Sequence, residues 1–284
     1  MPVDPATALA ADPLVADYAW DQDRVILYHL GIGAGITDPT GTELRYLYEN
    51  GLTVLPSFGV IPPFSALLGL NDVPGVDINM MMVLHGEQEL EVHRPIPTEA
   101  TVTNRSRVVE VADKGKAAVI TLETVSSLPS GEALFTNRSM IFARGEGGFG
   151  GDPGTSTTID PPDRAPDASL SSPTLPLQAH LYRLSGDKNP LHADPQFASF
   201  AGFDRPILHG LASYGAVLKA VVDGMLDGDT GAVASYRVRF AGVVFPGETI
   251  VTEAWRTDEG IVLVSTTAER GEPVLTNAFV GVRP

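Results

Sequence analysis

Asp187, Asn189 and His192 fall within six residues in the segment Tyr182-Arg183-Leu184-Ser185-Gly186-Asp187-Lys188-Asn189-Pro190-Leu191-His192-Ala193-Asp194. A carboxylate and an imidazole this close can share a proton-transfer task. Gly186, Asp187, Asn189 and Pro190 disfavour both helix and strand, which predicts a loop that gathers polar side chains in one place. Eighteen residues beyond His192 stands Gly210, in Leu208-His209-Gly210, and after it Leu211, Tyr214, Leu218, Val221, Val222 and Met225 recur at helical spacing. The loop therefore precedes a helix that opens on glycine, and the unpaired amides and dipole of a helix start can hold negative charge without a charged side chain. Taken singly, Asp187 and Asn189 read equally well as turn residues bonding their own backbone, and His192 as a hydrogen-bonded structural histidine. Their occurrence together ahead of a helix start favours catalysis; His209 is given no chemical role.

The run YRLSGDKNPLH, the small residues Ala198 and Ser199 after it, and the later PILHG resemble the signature of the MaoC-like (R)-specific enoyl-CoA hydratases, or hydratase 2. The resemblance implies an α+β hot-dog fold, an antiparallel sheet wrapped around one long helix, and addition of water to trans-2-enoyl thioesters. Carried over position by position, it makes Asp187 and His192 the catalytic pair, sets Asn189 beside them, and puts Gly210 where the family uses a backbone amide as oxyanion donor. Hydration of a double bond conjugated to a thioester needs a base for water, an acid for the α carbon and a donor for the enolate oxygen. These residue types meet those needs. Which of Asp187 and His192 is base and which acid stays open.

Composition narrows the partners. The 284 residues include 35 acidic and 19 basic ones, a formal net charge of -16, which argues against nucleic acid or an anionic membrane. The expected partner is an acyl thioester, on CoA or acyl carrier protein, with the thioester as substrate and no cofactor required. Six histidines without ligand spacing predict no metal site. The absence of cysteine excludes disulfides and a thiol nucleophile. The nearest approach to an apolar span, Phe58 to Leu70, is interrupted by Pro62 and Pro63 and falls short of the ~18 residues a membrane helix needs. Asp4, Asp12, Asp17 and Asp21 precede the first basic residue, Arg24, unlike a secretory or transit peptide, so a cytoplasmic location is expected. The oligomeric state is left open, with a homodimer among the options.

The elements that must position the loop come in two sets. A stretch dense in Gly, Pro, Ser and Asp, residues 145–173, reads as a linker between an N-terminal half, 1–144, and a C-terminal half, 174–284. The halves match in order: Leu27-Tyr28-His29-Leu30 with Leu181-Tyr182-Arg183-Leu184, Val54-Leu55-Pro56 with Ile207-Leu208-His209, and Pro97-Thr98-Glu99 with Pro246-Gly247-Glu248. Each half ends in three alternating strands: Ala100 to Val111, Ala117 to Ser126 and Ala133 to Arg144, then Thr249 to Thr257, Ile261 to Ala268 and Pro273 to Val282. This is a tandem duplication, and with one helix per half it predicts a double hot dog. By the same offset Gly33 stands opposite Asp187 and Asp38 opposite His192, so the N-terminal half is expected to be silent.

Pro62 and Pro63 should break the helix of the silent half. The expected consequence is a cavity for the acyl tail lined by Phe58, Ile61, Phe64, Met81 and its neighbours Met80 and Met82, though each of these reads equally as an ordinary core residue. The double-fold members of the family accept longer acyl chains, which the resemblance extends to this chain. For the CoA phosphates the candidates are Arg237 and Arg239, alternating on one face of a strand, with Lys188 and Arg205 flanking the catalytic segments. Two glycine motifs are decoys. Gly31-Ile32-Gly33-Ala34-Gly35 lacks the third glycine of a dinucleotide site, and Leu84-His85-Gly86-Glu87 is read as structural. The competing functions are a hot-dog acyl-CoA thioesterase and a non-catalytic acyl-CoA binding module.

Overall fold

The computed structural model describes residues 3–154 and 157–283; Met1, Pro2, the linker residues Thr155 and Ser156, and Pro284 lie outside them. The N-terminal half supplies α1 (Pro5–Ala10), β1 (Leu14–Trp20), α2 (Gln22–Gly31), α3 (Phe64–Leu68), β2 (Val83–Val92), β3 (Ala100–Asp113), β4 (Ala117–Ser127) and β5 (Ala133–Arg144). The C-terminal half supplies β6 (Ala168–Pro173), α4 (Gln178–Tyr182), α5 (Pro195–Phe200), α6 (Gly210–Met225), β7 (Val233–Phe240), β8 (Thr249–Arg256), β9 (Gly260–Thr267) and β10 (Pro273–Val282). The strands form one sheet in the order β1-β3-β4-β5-β2-β7-β10-β9-β8-β6. Read inward from either edge, the two halves have the same pattern and meet at the antiparallel β2–β7 pair. That is the duplication expressed in three dimensions, a double hot dog.

One segment expected to be linker is a strand. Ala168–Pro173 pairs with β8 in a continuous antiparallel register, so the C-terminal half begins before residue 174. It occupies the sheet edge that β1 occupies in the other half, and three of its six residues are serine, which is why composition alone read it as loop. The rest of the linker is pinned to both halves: Asp113 accepts the amides of Gly148 and Gly150, and Asn277 binds the Thr157 carbonyl and the Ile159 amide.

In the C-terminal half α6 is the central helix. Eleven of its residues are buried, including Leu211, Tyr214, Val217, Leu218, Val221 and Val222, between the C-terminal sheet and the Pro56–Val60 turn with α2. The approach of α2 requires glycine at Gly215, where a Cβ would lie 2.6 Å from both Ile32 Cγ2 and Tyr28 Oη.

The N-terminal half has no such helix. Where it would lie, the chain makes short 3-10 turns at Pro56–Val60 and Leu70–Asp72 on either side of α3. Pro62 and Pro63 account for the break, and the sheet beneath shows its counterpart. The inward face carries Gln88, Asn104, Ser106, Thr124, Ser126, Asn137 and Ser139, all buried. An apolar helix laid on these groups would strand them without partners. The irregular segment instead offers carbonyls: Asn137 Nδ2 donates to Gly59 at 3.0 Å and Asn104 Nδ2 to Pro62 at 3.0 Å. Among the described residues no helix is long and apolar enough to cross a membrane.

Candidate active site

The loop that carries Asp187, Asn189 and His192 is built by capping. Asp187 Oδ1 accepts the Asn189 amide at 3.0 Å and Asn189 Oδ1 accepts the Leu191 amide at 3.0 Å, which starts the 3-10 turn Pro190–His192. Asp194 then caps α5 through the Gln196 and Phe197 amides. These short bonds fix the backbone so that the Asp187 and His192 side chains face each other, with Oδ2 and Nε2 3.8 Å apart. That gap is too long for a direct hydrogen bond and suits one bridging water.

The other nitrogen of His192 decides its role. Nδ1 lies 2.9 Å from the Ile207 carbonyl, to which only a protonated nitrogen can donate, so in the neutral ring Nε2 carries the lone pair. Burial lowers the pKa of His192 below the ordinary histidine value, although Asp187 pulls the other way. The neutral form is therefore the resting form.

His209, to which the sequence assigned no role, lies directly against the pair. Its ring stacks on His192 with centroids 3.7 Å apart and 27° between planes. Its Nε2 donates to the Asp187 carbonyl at 3.2 Å, and burial with the neighbouring His192 pushes its pKa down to about 2. A neutral His209 ring thus braces both Asp187 and His192. Asp187, His192 and His209 each present a ligand atom within 4.8 Å of the others. One nitrogen of each histidine is committed to a carbonyl, which leaves a single free nitrogen on each ring.

Gly210 is the first residue of α6, and its amide has no hydrogen-bond partner among the described residues. A Cβ there would press on the Phe240 ring at 3.1 Å, so glycine keeps the helix start open beside that ring. Asp187, Asn189, His192, His209 and Gly210 all line one cavity of about 760 Å³, with Lys188 also on its wall. Part of the wall comes from the N-terminal half: Phe64, Leu67, Leu68, Met80, Leu84 and His85.

Several expected contributors stand elsewhere. Phe58 is fully buried against Trp20 and Tyr28, and Ile61 lies in the same core, because the 3-10 turn after Pro56 directs them inward; neither lines the cavity. Met81 is 65% exposed and only its neighbour Met80 reaches the wall. Arg237 and Arg239 do share a face, but it is the outer one, since Tyr236 and Val238 between and beside them point into the core. Arg239 is held there by Glu87 at 2.6 Å. Arg205 lies over the Phe245 ring at 4.6 Å and does not line the cavity. Of the motif Leu84-His85-Gly86-Glu87, read as structural, Leu84 and His85 lie on the wall because β2 pairs with β7 next to the site. His85 packs on Phe240 with centroids 5.0 Å apart and keeps a buried, unpartnered Nε2.

This fold and this pair define a MaoC-like hydratase site. The family description "MFE-2 hydratase 2 N-terminal domain" matches residues 18–145, and "MaoC like domain" matches residues 157–278. The chain belongs to this hydratase 2 family. It is 46% identical over 264 residues to Enoyl-CoA hydratase ChsH3 of Mycobacterium tuberculosis, covering 92% of both chains. It is 39% identical over 282 residues to the peroxisomal Enoyl-CoA hydratase 2 of Arabidopsis thaliana, covering 94% of this chain and 91% of that one. The crystal structure of a MaoC-like dehydratase from Phytophthora capsici superposes with a TM-score of 0.86 at 30% identity, covering 98% of each chain. Against the peroxisomal multifunctional enzyme type 2 of Mus musculus the chain spans 36% of the longer protein.

Proposed function

We propose that this chain hydrates trans-2-enoyl-CoA to (3R)-3-hydroxyacyl-CoA, or runs the reverse dehydration, in fatty-acid metabolism. The observation that carries the reading is the neutral His192, whose free Nε2 faces Asp187 Oδ2 at 3.8 Å, in the same cavity as the unpaired Gly210 amide. A water held between the two side chains would lose its proton to the pair as its oxygen bonds to the β carbon. Charge then gathers on the thioester oxygen, where the Gly210 amide and the α6 dipole stabilise it. The pair returns a proton to the α carbon. Acid, base and donor all come from the chain, so the reaction needs no cofactor beyond the CoA thioester itself. The relatives named as enoyl-CoA hydratases support this substrate.

The discriminating experiment follows crotonyl-CoA by the absorbance of its conjugated thioester while titrating free thiol. A hydratase removes the absorbance and releases no thiol. Release of thiol would make the chain a thioesterase, and no change in either signal would leave a binding module.

A further inference from the structure

The cavity holds the acyl group and the thioester, and the nucleotide of CoA needs a place outside it. In a chain with 35 acidic and 19 basic residues eight of the basic ones are ion-paired among the described residues, Arg138, Arg239 and Arg270 each by glutamate. Lys114, Lys116, Arg144 and Lys188 are exposed and form no ion pair among the described residues. Their placement is not scattered. Arg144, at the end of β5, and Lys188, in the catalytic loop, both line the active-site cavity. Arg144 also lines an open groove of about 590 Å³ together with Lys114 and Lys116 from the β3–β4 turn. The β4–β5 register holds the two segments together, with Ala117 opposite Arg144 and the Gly145 amide donating to the Lys116 carbonyl at 2.8 Å.

No acid is among the residues that line this groove. Asp113 accepts the amides of Gly115, Gly148 and Gly150, and Glu146 accepts the Asn79 amide at 3.2 Å, so both carboxylates are engaged by backbone. What remains is a cationic groove that shares a wall with the catalytic cavity, on a protein that is otherwise strongly negative.

We propose that the groove of Lys114, Lys116 and Arg144 binds the 3′-phosphorylated ADP of CoA, with Lys188 attracting the phosphates at the cavity wall. The proposal rests on the reading of this chain as a CoA-thioester hydratase and names the carrier-binding site of that reaction. Guanidinium takes a phosphate through two parallel hydrogen bonds and the lysines act as point charges. The silent half thus contributes the carrier anchor as well as part of the acyl wall, since all three groove cations belong to it.

The test compares crotonyl-CoA with crotonyl-N-acetylcysteamine, which carries the same thioester without a nucleotide. In Lys114→Glu/Lys116→Glu and in Arg144→Glu, the ratio of kcat/KM for the CoA thioester to that for the truncated one should fall at least about tenfold, the size of loss that follows removal of charge-assisted contacts. Arg105→Glu, on an exposed position of β3, makes the same kind of charge change and should leave the ratio in place. Adenosine 3′,5′-diphosphate should compete with crotonyl-CoA on the wild type and lose that effect in the groove variants. An unchanged ratio in the groove variants overturns the proposal, as does a ratio that falls equally in Arg105→Glu. Loss of rate on CoA without competition by the diphosphate also overturns it, since that pattern indicates an acidic carrier protein. If the wild type hydrates neither thioester, the hydratase reading itself fails.

Discussion

Tying His192 Nδ1 to the Ile207 carbonyl leaves Nε2 as the acceptor, and burial keeps the ring neutral at physiological pH. A general base in that state loses activity only when it is protonated. The acid limb of kcat/KM should therefore lie below the unperturbed histidine value of 6.5. Asp187→Asn and His192→Gln keep side-chain volume while removing a proton-transfer group, so each should lower kcat on the order of 100-fold or more with an unchanged circular dichroism spectrum. Full activity in either variant would remove the pair from the reaction. These two residues and Asn189 were legible in the sequence because they lie in one contiguous loop whose turn formers dictate its shape. His209 and His85 were not, since a ring stack across 17 residues brings His209 to His192 and a strand pairing between halves brings His85 to the wall. The outward face of Arg237 and Arg239 was undetermined for a related reason: alternation says that two residues share a face and not which face is covered.

At the scale of elements, the difference between the halves is the presence of α6 in one and the broken segment around α3 in the other. Pro62 and Pro63 announced the break, and α6 and the three closing strands of each half were predicted to within a few residues from their periodicity, whereas β1 was not identified and β6 was read as linker. The polar inner face of the N-terminal sheet was harder to see, because Gln88, Asn104, Ser126 and Asn137 alternate with residues that look equally suited to face solvent. The side-chain amides of Asn104 and Asn137 satisfy the carbonyls of Pro62 and Gly59 in the broken segment. Ala66 and Gly69 do not reach that wall, whereas Leu67 and Phe64 do. Filling the cavity with Leu67→Trp should exclude part of a long acyl tail and leave a crotonyl group untouched. Three methylenes denied burial correspond to about 2 kcal/mol, so kcat/KM for a decenoyl thioester should fall roughly thirtyfold relative to crotonyl-CoA. Equal losses on both substrates would show that the variant damages packing and that the tail lies elsewhere.

Across the whole molecule the two halves are joined by more than the β2–β7 seam. Lys219 of α6 reaches Glu43 at 2.5 Å and Asp223 at 3.1 Å, while Asp223 also receives Arg45 at 2.5 Å and the Tyr46 hydroxyl at 2.7 Å. Beside this cluster sits His29, fully buried, with Nδ1 donating to the Tyr46 carbonyl and Nε2 accepting the Leu55 amide. Both bonds require the neutral ring, and burial lowers its pKa from 6.5 to about 4. The unfolded chain binds a proton at His29 before the folded one does, so this contribution is present in full above pH 6.5 and is lost as the pH falls to about 4, on the order of 3 kcal/mol. Urea unfolding of the wild type should weaken across that window, and His29→Gln should weaken less; an identical decline in both would contradict the assignment. His29 belongs to the duplicated Leu-Tyr-His-Leu motif, yet its partners on Tyr46 and Leu55 could not be foreseen from the motif alone. Asp187 and His192 are placed to work through one shared water and hence on one face of the substrate. The most direct test is the configuration of the product formed from a trans-2-enoyl-CoA in deuterium oxide. Hydroxyl at C3 in the R configuration with deuterium added at C2 on the same face is the predicted result. A 3S product, or deuterium and hydroxyl on opposite faces, would contradict it.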